Sequence, residues 1–136
     1  MRRVVVTGIG TINSTGHNVK DSFDAVVNGV CGIDTITLFD TTDFSVQIAG
    51  EVKDFNPETV MDKKEVKKAD RFIQLGIKAA LEAMIDSGYV TQEDKKVDAT
   101  IANRFGIISG SGIGGLSTIE KNSIVCETKG SRKISP

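Results

Sequence analysis

Apolar residues along the chain follow two spacings. Arg3-Val4-Val5-Val6-Thr7 is a short β-branched run ended by Gly8, the pattern of a buried strand. A loop follows from Gly8 to Gly16. Asn18 then offers an N-cap, with Asp21 in the first turn where an acid favours the helix dipole. Val19, Phe23, Val26, Val27 and Val30 continue at helical spacing, and Gly29 can close the helix. Residues 32 to 44 carry no clear period. Val46, Ile48, Gly50 and Val52 alternate with polar or small residues, as in a half-exposed strand.

Asn56-Pro57-Glu58 is a turn or a helix start. Asp62 then caps a second helix, with Glu65 completing a box-like pattern. This helix is charged at first. From Phe72 to Ile85 it is apolar almost all round, which predicts burial in something larger than a two-layer domain of this length. Ser87-Gly88 ends it. Thr91 to Asn103 is a polar connector with room for one helical turn. Phe105-Gly106-Ile107-Ile108-Ser109 has the pattern of another strand, running into a glycine-rich loop. Leu116, Ile119, Glu120 and Ser123 predict a last helix, and Glu127 to Pro136 is loop-like. Strands alternating with helices imply an α/β fold with a parallel or mixed sheet. There is no internal repeat.

Composition narrows the function. The chain has 136 residues, 39% hydrophobic and 26% charged, with a net charge of −1. A near-neutral balance offers no bulk field for nucleic acid or membrane, and an aromatic content of 5% without Trp argues against a base-stacking surface. The apolar run near the N-terminus is too short for a signal peptide or a membrane span, so the expected location is the cytoplasm. Cys31 and Cys126 are far apart and form no Cys/His cluster, so no metal site is expected. His17 is the lone histidine and lies in a loop.

Two patterns bear on chemistry. Gly110-Ser111-Gly112-Ile113-Gly114-Gly115 fits G-x-G-x-x-G, the spacing of a dinucleotide-binding loop between strand and helix. That reading also needs an acidic residue about 20 positions on, at the end of a second strand. Only Glu127 is available, with no strand before it. The other use of such glycines is positive φ or close backbone approach. The second pattern is basic. Lys64, Lys67, Lys68 and Arg71 recur at i, i+3, i+4 and i+7, which predicts one charged helical face. Residues 62 to 71 hold five positive and three negative charges. A run of this kind is either a solvated face or a docking patch for an acidic partner.

Three stretches carry a resemblance: RRVVVTGIG, DKKEVKKADRFIQLGIKAALEAMIDSG, and SGSGIGGLSTIEKNS followed by KGSRKISP. In this order and spacing they resemble the N-terminal part of β-ketoacyl-acyl carrier protein synthases, most of all the bacterial elongating type II enzymes. The resemblance runs over essentially the whole chain and is weakest near Glu93 to Asp98. It implies the N-terminal portion of a thiolase-like fold, layered α/β/α and incomplete within residues 1–136. It implies a homodimeric acyltransferase of fatty-acid synthesis that performs a decarboxylative Claisen condensation and needs no cofactor. A cysteine takes the acyl chain from an acidic acyl carrier protein, and two histidines assist decarboxylation and stabilise an oxyanion.

In the family the nucleophile follows the KISP-like segment and the histidines lie further on. No catalytic residue is therefore carried onto Cys31, Cys126 or His17. The expectation is an N-terminal fragment, inactive by itself. Lys64, Lys67 and Lys68 match the family's carrier-docking positions, and Ile113 matches the apolar gate at the mouth of the acyl pocket. Two other functions stay open: a non-catalytic carrier-binding or dimerisation module, and a nucleotide-binding oxidoreductase using Gly110–Gly115.

Overall fold

The computed structural model describes residues 2–134. Helix α1 spans Val19–Val27 and begins as expected: Asn18 Oδ1 accepts from the Asp21 amide at 2.8 Å. Strands β1 (Ile33–Thr35) and β2 (Ile48–Gly50) pair antiparallel, with Ile33 opposite Gly50 and Thr35 opposite Ile48. β2 falls inside the alternating stretch. β1 comes from the stretch without a period, and three residues are too few to show one. A 3-10 turn at Pro57–Thr59 leads to the short helix α2 (Lys63–Val66) and then to α3 (Arg71–Asp86). Helix α4 (Ala99–Ala102) is the single turn in the polar connector, and α5 runs from Leu116 to Lys129. A final 3-10 turn, Ser131–Lys133, lies in the expected loop-like tail.

Two predicted strands do not form. Neither Arg3–Thr7 nor Phe105–Ser109 joins a sheet; the sheet among the described residues is the β1–β2 pair. The cause is the lack of a partner, since a strand exists only through hydrogen bonds to a neighbour. Their side chains confirm it: Val4 is 95% exposed and Ile108 102%.

The single helix expected from Asp62 to Ile85 is two helices. The backbone breaks after Val66, and Asp70, in extended conformation, opens α3. Helix ends leave carbonyls unpaired. Gln74 supplies the donors: its Nε2 reaches the Val66 carbonyl at 3.2 Å and the Ala69 carbonyl at 2.9 Å. The box at Asp62 does not close, because no side-chain cap bond forms there.

The N-terminal loop is fastened to α3. A Cβ at Gly8 would collide with the Ala83 carbonyl, and one at Gly10 with that of Ala79. These glycines let loop and helix backbones touch. Two acids on α3, one turn apart, hold the contact. Asp86 Oδ2 accepts from the Ile9 amide at 2.9 Å; Glu82 accepts from Thr11 at 3.0 Å and from Val19 at 2.7 Å. The last bond also anchors the start of α1.

Little of this framework encloses a core. Val90 is the one buried hydrophobic residue among the described residues, and α3 buries none. The chain exposes 11158 Å². A compact protein of 14.5 kDa exposes about 6,900 Å².

Candidate functional site

The two candidate regions, residues 62–72 and the loop 109–115, meet at the first turn of α3. Lys64 lies in α2, Lys67 is its C-cap, and Lys68 follows in the break. The four cations therefore do not share one continuous helical face. A tight turn replaces the helix, held by Glu65 accepting at its carbonyl from the amides of Lys68 and Ala69, both at 2.9 Å. Lys64, Lys67 and Lys68 are exposed, and none pairs with a carboxylate among the described residues.

Arg71 departs from this group. Its Nη2 donates to the Val52 carbonyl at 3.0 Å, and its guanidinium stands 5.1 Å from the Phe55 ring centroid. A hydrogen-bonded, stacked guanidinium has fewer donors left for a partner. It ties α3 to the segment after β2, so of the four spaced cations the three lysines stay unpaired among the described residues.

The glycine loop lies against the same turn. Gly114 has φ +76°, which a side-chain-bearing residue rarely adopts. A Cβ at Gly114 would stand 3.3 Å from the Phe72 ring, and one at Gly115 would collide with the Asp70 carboxylate. Gly110 and Gly112 have nothing within contact distance among the described residues. Ile113, between the free and the held parts, is 71% exposed.

This arrangement does not suit a dinucleotide. A pyrophosphate would need the N-terminus of α5, the helix that begins at Leu116. The Asp70 carboxylate is already packed beside Gly115, at that helix end. Two anions in one place repel, and among the described residues no strand precedes the loop as the motif requires.

The remaining reactive side chains form no catalytic set. Cys31 Sγ donates to the Ile33 carbonyl at 3.8 Å; among the described residues no hydrogen bond joins it to His17, whose ring instead meets Phe55 edge-on at 6.1 Å. Both line an open polar cleft of about 420 Å³ with Asp34 and Lys53, which bond each other at 3.2 Å. The Asp34 carboxyl is held below its ordinary range, first by the Thr35 amide and then by Lys53. Cys126 is exposed on α5. No group of three or more His, Cys, Asp or Glu could hold a metal among the described residues. No described helix is long and apolar enough to cross a membrane.

Sequence reasoning missed the clamp formed by Glu82 and Asp86. Its signal was present: they are the only acids on α3, four residues apart, on its mostly apolar second half. It also missed Phe72 and Asp70 as neighbours of the glycine loop, which no local pattern encodes.

Comparison with known proteins extends these observations. The family described as "Beta-ketoacyl synthase, N-terminal domain" matches residues 1–136. Among curated relatives, the 3-oxoacyl-[acyl-carrier-protein] synthase 2 of Vibrio cholerae is 46% identical over 135 residues, and that of Coxiella burnetii is 44% identical. The protein of the same name from Staphylococcus aureus is 44% identical. Each alignment covers 99% of this chain and 31% of the relative, so the chain spans about a third of their length. Among solved structures, the ishigamide ketosynthase/chain length factor superposes with a TM-score of 0.73 at 28% identity, over 99% of this chain and 32% of that one.

Proposed function

This chain belongs to the β-ketoacyl synthase family, and from that membership we propose that it serves as the N-terminal part of a fatty-acid elongating condensing enzyme. Its fold is the N-terminal portion of a thiolase-like α/β arrangement, incomplete within residues 1–136. The proposed reaction is a decarboxylative Claisen condensation of an enzyme-bound acyl group with malonyl-acyl carrier protein, in a cytoplasmic homodimer. The nucleophilic cysteine and two histidines lie outside residues 1–136, so this segment has no condensing activity alone.

Its own residues bind and select. Lys64, Lys67 and Lys68 receive the acidic carrier, and Ile113 gates the acyl tunnel. The observation that carries this reading is the convergence of two patterns. Lys64 in α2 and Lys67 and Lys68 in the turn after it are exposed and unpaired among the described residues, and the glycine loop bearing an exposed Ile113 packs against the helix that follows. Surface charges of this kind speed encounter, and salt weakens them.

The test is charge reversal. A chimera places residues 1–136 ahead of the remaining two thirds of the Vibrio cholerae relative. Converting Lys64, Lys67 and Lys68 to Glu there raises KM for acyl-carrier protein about tenfold at low salt and leaves kcat nearly unchanged, since each exposed pair contributes about 0.2–1 kcal/mol. An unchanged KM rules out docking at these lysines.

A further inference from the structure

We propose that Phe72 is a positioning residue for the acyl gate, backing Gly114 and so fixing where Ile113 points. The inference rests on the reading of Ile113 and the three lysines above. The glycine loop is held at one end only. Gly110 and Gly112 stand in open space among the described residues, whereas Gly114 meets the Phe72 ring and Gly115 meets Asp70. Ile113 immediately precedes the held pair, and Gly114 has φ +76°, a conformation that turns the chain sharply. The ring that sets Gly114 therefore sets the direction of its neighbour.

The same residue joins the gate to the docking turn. Phe72 is the second residue of α3 and follows Lys68 by four positions. Gln74 bonds the carbonyls of Val66 and Ala69 across the break, which ties residues 66 to 74 into one unit. A carrier seated on Lys67 and Lys68 thus bears on the element that supports the gate.

The chimera described above tests this. Its readouts are kcat/KM for a short and a long acyl chain and KM for the carrier. Phe72→Ala changes the long-to-short ratio about fivefold, the scale of one lost aromatic contact, while the carrier KM stays at its wild-type value. Phe72→Leu changes the ratio about twofold, and Phe72→Tyr, which keeps the ring, retains the wild-type ratio. A chain-length ratio that does not move in Phe72→Ala overturns the proposal. Should that variant fail to fold, an unmoved ratio in Phe72→Leu overturns it equally. The underlying reading fails separately. Ile113→Phe must shorten the accepted chain, because overfilling a pocket is costly. If it does not, the gate assignment is wrong whatever Phe72 does.

Discussion

Residues 1–136 expressed alone do not form a cooperative monomer. The perturbation is isolation of this segment, and the surface gives the magnitude. The observed 11158 Å² exceeds the area of a compact protein of this mass by about 4,300 Å². The fully unfolded chain would expose about 21,000 Å², so folding as described removes about 47% of it, against about 68% for a domain near this size. The excess includes large apolar groups: Val4, Val6, Leu38, Ile107 and Ile108 are each more than four-fifths exposed. An area of 4,300 Å² falls within the range buried by obligate interfaces, so the segment associates. The assay is sedimentation velocity with urea unfolding followed by circular dichroism. Because the urea slope scales with area exposed on unfolding, it is about 70% of that for a compact domain of equal length. A monodisperse monomer with a full-size, single cooperative transition would refute the reasoning.

Two further outcomes follow from the fold. Glu82→Ala in the chimera removes the acceptor for two backbone amides and lowers stability by about 2–4 kcal/mol in denaturant unfolding, and Glu82→Gln retains part of it; an unchanged midpoint in Glu82→Ala contradicts the clamp. Glu51 accepts from the Thr37 hydroxyl at 2.8 Å and from the amides of Thr37 and Leu38. The Thr37 hydroxyl, ahead of these amides, holds its carboxyl below the ordinary 4.5. A lowered folded-state value means that the clasp is intact above the ordinary value and is lost as pH falls through the folded one. The amide resonances of Thr37 and Leu38 therefore shift together below about pH 4.5, and Glu51→Gln abolishes that transition; a transition that survives the substitution assigns it elsewhere.

Much of the local structure was legible in the sequence, and the losses have a common cause. Helix α1 was readable because its cap, its dipole partner and its apolar face all lie within a few residues of one another. The runs 3–7 and 105–109 have the composition of strands, but a strand also needs a neighbour far away in sequence, and none lies among the described residues. The break at Lys67–Asp70 was hidden because the apolar spacing continues across it. The reach of Gln74 back to two carbonyls marks the break before the second helix. That break alters the charged site: Arg71 leaves the basic group, and three lysines remain. Gly8 and Gly10 read only as part of a loop. Their need for a bare Cα comes from α3, some 70 residues later.

The central claim is that this segment supplies carrier docking and acyl gating to a condensing enzyme whose chemistry resides elsewhere. Mass-spectrometric detection of 3-oxoacyl-carrier protein tests it directly, with acyl- and malonyl-carrier protein as substrates. The chimera with the Vibrio cholerae remainder yields the product, and residues 1–136 alone yield none. Product from residues 1–136 alone, or none from a folded, dimeric chimera, would contradict the account.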